Sequence, residues 1–222
     1  MFKVSVEGNI GAGKTTFLNI FKNDSRVKVI KEPVSKWKDV NGSNLLQLMY
    51  ENGQRWNFAF QSRVQQTMLQ GHLTQTEKGV KMMERSLHST REIFMKHQVK
   101  SGTIHKVEKD ILEGWYNFLT ANDAFNTTVD LYVYLRTDPE TAFERLRKRN
   151  REEENKVSMN YIQEIHSRHE EWLGENSPPK HTPVLIINAN KSEDEMKEMA
   201  LKLDDIITGI RKLSKGEVIK VF

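Results

Sequence analysis

The stretch that decides the fold is Phe2-Lys3-Val4-Ser5-Val6-Glu7 followed by Gly8-Asn9-Ile10-Gly11-Ala12-Gly13-Lys14-Thr15. A run of strand character passes into G-x-x-x-x-G-K-[ST], and Thr16-Phe17-Leu18-Asn19-Ile20-Phe21 then begins a helix. The order carries the physics. Glycines let backbone N–H groups turn inward onto phosphate oxygens, and the helix N-terminus adds the positive end of its dipole. Lys14 then reaches the terminal phosphates, and the Thr15 hydroxyl is a ligand for Mg²⁺. Gly8 to Thr16 are therefore the expected cradle for a triphosphate, with ATP and Mg²⁺ as its ligands. The competing reading is a glycine-rich turn with a chance Gly-Lys-Thr, which would need neither the strand before nor the helix after.

Outward from this loop, short apolar runs alternate with amphipathic segments. Strand candidates are Phe2–Glu7, Val27–Lys31, Val80–Glu84, Leu131–Leu135 and Val184–Ile187. Leu45, Leu48 and Met49 form one helical stripe, and Phe60, Val64 and Met68 another at i, i+4, i+8. The alternation predicts an α/β fold, a five-stranded parallel sheet with helices on both faces. One further apolar run, Val218–Val221, is not counted among the five. Ser177-Pro178-Pro179 reads as a turn before the last of the five strands rather than a linker. Residues 1–222 are expected to form a single domain.

Composition agrees with that size. Leu, Ile, Val and Phe make up about a quarter of the 222 residues, enough for a real core. Cysteine is absent, which excludes disulfide scaffolds, cysteine-ligated zinc and a thiol nucleophile. The net charge of +4 permits an anionic ligand without demanding nucleic acid. No apolar run approaches the roughly 18 residues of a membrane span, and strand character from Phe2 argues against a leader within the sequence. A cytoplasmic location is expected, or a mitochondrial one if a presequence has been removed.

Two strand ends carry acids. Glu32-Pro33-Val34 follows the second strand, and ligands gather at the carboxyl ends of strands in an open parallel sheet. Glu32 there suits a general base for a hydroxyl acceptor, because a monophosphate acceptor would be repelled by a carboxylate. An exposed strand-end carboxylate before a turn-forming proline is the other reading. Glu84-Arg85-Ser86 ends the third strand. Arg85 is a strong donor for phosphate oxygens or an acceptor hydroxyl, and Glu84 suits Mg²⁺ through water. A mutual Glu84–Arg85 surface pair is the alternative, disfavoured because neighbouring strand residues face opposite ways.

Arg145, Arg147, Arg149 and Arg151 alternate at every second position, and Glu152, Glu153 and Glu154 follow. Two residues turn a helix by about 200°, so all four cannot meet one triphosphate from a straight helix. Either two face phosphates while two pair with the glutamates, or the backbone bends into a lid over about 145–156; a solvated charged helix has the same composition. Between the second and third strands lie Trp37, Tyr50, Trp56, Phe58, Phe60, Gln61, Gln65 and Gln66. A nucleobase site needs stacking faces and an amide, although helix core and solvent account for most of this cluster. His166, His169 and Glu170 have helical spacing without a third ligand pattern, and a solvated face is the expectation.

In this order, Gly8–Thr16, Glu32-Pro33-Val34 with Trp37, Phe60-Gln61-Ser62, Glu84-Arg85-Ser86 and the arginine run resemble the animal deoxyribonucleoside kinases, over residues 2 to about 190. The resemblance implies a P-loop kinase fold with an Arg-rich lid, and ATP-dependent phosphorylation of a deoxynucleoside 5′-hydroxyl, thymidine and deoxycytidine favoured. It implies Glu32 as base with Arg85 beside it, Gln61 on the base edge, Phe94 stacked on the base, and Trp37 in the pocket wall. It implies Tyr50 and Glu154 on the 3′-hydroxyl. Val64, Met68 and Thr90 would border the base, Thr90 standing where the family often has alanine. Arg145, Arg147, Arg149 and Arg151 would close over ATP, and the molecule would be a homodimer with neither nucleic-acid nor membrane partners. Two rivals remain: a thymidylate-type monophosphate kinase, whose acceptor site should be rich in cations, and a nucleotide- or nucleic-acid-binding protein without turnover.

Overall fold

The computed structural model describes residues 1–176 and 178–221. Ser177 of the expected turn and Phe222 lie outside the described residues. Strands β1 (Phe2–Glu7), β2 (Val27–Ile30), β3 (Val80–Glu84), β4 (Leu131–Arg136), β5 (Val184–Asn188) and β6 (Val218–Val221) form one sheet in the order β2-β3-β1-β4-β5-β6. Every pairing is parallel. The sheet has six strands where five are expected, because Val218–Val221 pairs with β5 from Val184↔Val218 to Ile187↔Val221. A four-residue run containing Lys220 is a weak signal by itself, whereas the open edge of β5 offers it a row of unpaired backbone groups. The second strand stops at Ile30 rather than Lys31. Lys31 and Glu32 leave the ladder ahead of Pro33, which has no N–H to donate.

Helices α1 (Lys14–Ile20), α2 (Ser35–Lys38), α3 (Leu45–Glu51), α4 (Gly53–Leu73), α5 (Leu87–Ser89), α6 (Lys96–Lys100), α7 (Lys106–Ala121), α8 (Pro139–Arg149), α9 (Met159–Leu173), α10 (Glu193–Lys202) and α11 (Asp204–Ile207) flank or extend from the sheet. A π-helical turn, Thr90–Met95, joins α5 to α6. Strand periodicity divides the core. Val133 and Leu135 of β4 join Phe17, Leu18 and Phe21, with Met196 and Ile207, on one face. Tyr132 and Tyr134 join Ile186 and Leu173 on the other. Trp37, Leu46, Met49, Phe60, Val64 and Met68 form a separate apolar cluster from α2, α3 and α4.

The connections position the site. From central β1 the chain goes out to β2, returns to β3, then crosses to β4 on the other side. Such a reversal opens a crevice at the carboxyl ends of the strands. The loop after β1 lies in that crevice and packs tightly on α8. Gly11 has φ +84°, and a Cβ there would lie 2.1 Å from the carbonyl oxygen of Ala142.

Candidate active site

Lys14 begins α1 and is buried. Its Nζ donates to the carbonyls of Asn9 (2.9 Å) and Gly8 (3.2 Å), within its own loop. Burial, and after it the Arg85 cation, lower its pKa to about 7 against the pull of Glu32 and Glu84. Asn9 acts on the protein instead of facing the cavity. Its Nδ2 donates to Ile162 O of α9 at 2.9 Å, and its Oδ1 accepts from Ile10 N at 2.8 Å. Of the loop, Ile10, Gly11, Lys14 and Thr15 face the cavity.

The acids and Arg85 meet beside Lys14. Arg85 takes φ +61°, in the left-handed region, immediately after β3 ends. Its Nη1 donates to both Glu32 oxygens at 3.0 and 3.1 Å, and its Nη2 donates to Gly8 O at 2.9 Å. Burial opposes the Arg85 charge, but Glu32, Glu7 and Glu84 outweigh it and hold the guanidinium above its usual pKa. Glu84 is turned elsewhere: Thr15 Oγ1 donates to its Oε1 at 2.7 Å, so no mutual Glu84–Arg85 pair forms. Thr15 and Glu84 together present a hydroxyl and a carboxylate, hard oxygen donors that suit Mg²⁺ with water and phosphate as its other ligands. Behind Arg85, Glu7 is fully buried and its Oε1 accepts from Ser5, Ser86 and Ser89 at 2.6, 3.2 and 3.0 Å.

These groups open onto a cavity of about 210 Å³. Trp37, Tyr50, Gln61, Val64, Met68, Arg85, Thr90, Phe94 and Glu154 all line it, together with Glu32 and Glu84. Phe94 lies under the Arg85 guanidinium, 5.0 Å from ring centroid to charge. The Thr90 hydroxyl is spent on the carbonyl of Leu87 at 2.7 Å, so it meets the cavity as a methyl-bearing wall. Burial raises the Tyr50 phenol well above its usual pKa, so it stays a neutral donor. Others of the aromatic–amide group turn away. Gln65 Nε2 donates to Leu112 O at 3.1 Å, and Trp56 lies beneath the Arg55 guanidinium.

The arginine run splits. Helix α8 ends at Arg149, and Asn150 takes φ +50° as its cap. Arg149 and Arg151 line the cavity and pair with Glu154, at 2.7 and 3.4 Å. Arg145 donates to the carbonyls of Ala189 (2.7 Å) and Lys191 (2.9 Å), beyond β5. Arg147 donates to Asn155 O and Val157 O at 3.0 and 2.7 Å. Two arginines thus face the site and two bind backbone. Glu153 ties the same segment to α2 and α3 through Lys38 (2.7 Å) and Asn44 (3.1 Å).

The comparisons with known proteins agree with this geometry. The deoxynucleoside kinase family model matches residues 4–214. The chain belongs to the deoxynucleoside kinase family. It is 45% identical to human mitochondrial thymidine kinase 2 over 197 residues, covering 88% of this chain and 74% of that protein. It is 32% identical to mouse deoxycytidine kinase, covering 93% and 91%, and 32% identical to chicken deoxycytidine kinase 2, covering 92% and 88%. The protein is therefore an enzyme, a kinase of deoxynucleosides that draws its phosphoryl group from a nucleoside triphosphate.

Sequence reasoning missed several residues of the kinase's cavity. Lys31, Leu46, Met49, Ser86, Gln98 and Tyr161 also line it. Gln98 was findable, since it stands one helical turn after Phe94. Tyr161 was not, because α9 reaches the site through tertiary packing, its ring meeting Tyr50 of α3 and His97 of α6. His169 departs from the expected solvated face. It is buried, its Nδ1 lies 2.8 Å from Ile165 O, and its ring stacks on Tyr134 at 5.7 Å. Among the described residues no group of three or more His, Cys, Asp or Glu could hold a metal.

Proposed function

We propose that the kinase transfers the γ-phosphoryl group of ATP to the 5′-hydroxyl of deoxynucleosides, thymidine and deoxycytidine foremost, with Glu32 as general base. The observation that carries this reading is the Glu32–Arg85 pair, set between the phosphate loop and the aromatic–amide cavity. A neutral hydroxyl gains from a carboxylate there, whereas a monophosphate acceptor would meet its negative charge. Glu32 takes the hydroxyl proton as the oxygen forms its bond to the γ-phosphorus. The bond to the β-phosphate oxygen breaks, and ADP leaves with that electron pair. Arg85 orients Glu32 and offers donors to the developing charge. Lys14 and the loop N–H groups hold the phosphates, and Thr15 with Glu84 would hold Mg²⁺, which supplies charge neutralisation when bound.

In the same reading Gln61 contacts the base edge and Phe94 stacks on the base. Trp37, Val64, Met68 and Thr90 wall it in, and Tyr50 with Glu154 binds the 3′-hydroxyl. The lid over 145–156 closes on ATP through Arg149 and Arg151, with Arg145 and Arg147 holding it in place. Residues 1–222 act as one kinase domain. A second copy of this chain is the expected partner, docked on the exposed stripe Val107, Ile111, Trp115 and Phe118, which i, i+4 and i, i+3 spacing places on one face of α7 and which would meet its own copy about a two-fold axis. We expect neither nucleic acid nor membrane as partner; among the described residues no helix is long and apolar enough to cross a membrane. The cytoplasm is the expected compartment and the mitochondrion, named for the human relative, the alternative.

Incubation with ATP and either thymidine or its monophosphate tests the acceptor, and only the nucleoside should be consumed. Glu32→Gln should lower kcat by about 100-fold or more, the scale of general-base catalysis, with ATP affinity within about threefold. Near-normal turnover in that variant overturns the base assignment.

A further inference from the structure

We propose that Glu153, clasped by Lys38 and Asn44, is a positioning residue that couples the two substrate sites, so that a nucleoside in the cavity tightens the hold of the lid arginines on ATP. The inference rests on the acceptor and lid roles proposed above and adds what joins them. The three glutamates after the arginine run divide. Glu152 is exposed. Glu154 lines the cavity and takes Arg149 Nη2 on both oxygens, at 2.8 and 2.7 Å, with Arg151 Nη1 at 3.4 Å. Glu153 is buried but lies outside the cavity lining. Its Oε1 accepts from Lys38 Nζ at 2.7 Å and from Asn44 Nδ2 at 3.1 Å. The bond to Lys38 holds the carboxyl below its ordinary pKa, so it is ionised. The direction of these bonds is fixed at both ends. An ammonium only donates, and a carboxylate only accepts. Asn44 Oδ1 accepts from Gln47 N at 3.0 Å as the cap of α3, and a backbone N–H only donates, so Nδ2 is the atom left for Glu153.

The clasp joins the two sides of the site. Lys38 ends α2 and Asn44 caps α3, and these helices carry Trp37, Met49 and Tyr50 into the cavity wall. From the nucleotide side, Arg147 of α8 pins the 3₁₀ turn Glu152–Lys156 by donating to Asn155 O and Val157 O. Glu153 ties that turn to α2 and α3, and the next residue aims both lid arginines. A nucleoside packed against Trp37 and Tyr50 fixes α2 and α3. The clasp passes that restraint to the turn, and Glu154 then holds Arg149 and Arg151 in one arrangement. A ligand that meets a segment already ordered by another binds more tightly. The effect is reciprocal, so nucleotide tightens nucleoside by the same factor. Lys38 and Asn44 also lie outside the cavity lining and act through Glu153.

The test is calorimetric binding of adenylyl imidodiphosphate, a non-hydrolysable ATP analogue, with Mg²⁺, with and without saturating thymidine. The proteins are wild type, Lys38→Arg, Lys38→Met and the double variant Lys38→Met/Asn44→Asp. Thymidine should tighten the analogue on wild type by about fivefold or more, the low end of common coupling factors, and the analogue should tighten thymidine equally. Lys38→Arg should keep the factor, because the cation and its reach remain. Lys38→Met should lower it by about half or more, and the double variant should bring it to within about twofold of one. Aspartate caps a helix as well as asparagine does, so a lost cap does not account for that change. The double variant instead sets one carboxylate against another with no cation between them. Should it fail to fold, Lys38→Met decides alone, and an unchanged factor there overturns the clasp. A wild-type factor within about twofold of one overturns it too, as does a larger factor in the folded double variant, which assigns the coupling to Glu154 by itself. Thymidine that binds without altering nucleotide affinity fails the clasp alone. Thymidine that does not bind, with or without nucleotide, fails the acceptor reading.

Discussion

Lys14 rests on the carbonyls of its own loop, and its pKa falls from the usual 10.5 to about 7. Desolvation is the main cause, and a triphosphate brings the charge that reverses it. Above pH 7 the free protein holds Lys14 largely neutral, so nucleotide binding should draw a proton onto it. Calorimetry in buffers of different ionisation enthalpy should find about one proton taken up per triphosphate at pH 8 and almost none at pH 6. Lys14→Met should abolish the difference. The stability sign follows from the same shift. Between pH 7 and 10.5 the unfolded chain holds this proton and the folded chain does not, so the Lys14 contribution rises with pH across that window and is lost as pH falls through 7. Gly11 makes the other residue-scale prediction. Gly11→Ala adds a Cβ 2.1 Å from Ala142 O at a backbone with φ +84°. Thermal unfolding should shift down by several degrees and nucleotide should no longer raise it. The glycine is legible in the motif; its reason, the contact with α8, is not.

The end of α8 decides what the arginine run does. The period of the sequence already shows that four alternating arginines cannot converge from a straight helix. Which two converge depends on Asn150, whose left-handed cap stops the helix between Arg149 and Arg151. Arg149→Ala should raise the KM for ATP about tenfold, and it leaves Glu154 without its shortest ion-pair partner. Arg145→Ala removes two hydrogen bonds to the loop beyond β5 and should cost about 1–2 kcal/mol in urea unfolding. Its ATP KM should stay within about threefold of wild type. The reverse pattern, a KM effect at Arg145 without lost stability, would reassign it to the nucleotide. Glu32 teaches the same lesson. Its place after the second strand is legible, but its partner follows from the left-handed turn at Arg85 that aims the guanidinium back across the crevice.

For the whole molecule, the surface of α7 stands out. Trp115 and Phe118 are 57% and 55% exposed, with Val107 and Ile111 beside them. A contiguous apolar patch of this kind on a charged protein is where the proposed second copy would dock. If the proposed dimer forms through this face, the wild-type kinase should sediment as a dimer and Trp115→Glu as a monomer, with nucleoside phosphorylation measured on both forms. A wild-type monomer at micromolar concentration would remove the two-fold reading. In the sheet, the β1-to-β4 crossover places the phosphate loop, Glu32 and Arg85 at one rim. The sixth strand extends the opposite edge, far from the chemistry in strand order.

The sequence by itself determined the strand–loop–helix around Gly8–Thr15, the alternation that makes a parallel sheet, and the residue types that line the cavity. These are local properties, set by glycine freedom, periodicity and side-chain chemistry. Tertiary structure alone decided the partners: Arg85 with Glu32, Glu84 with Thr15, Arg149 with Glu154, and Gln61 with Gln98 and Asn57. Each joins elements distant in the chain or turned by a local backbone exception. Hydrogen-bond direction and burial depend on where those elements come to rest, which no run of neighbouring residues encodes.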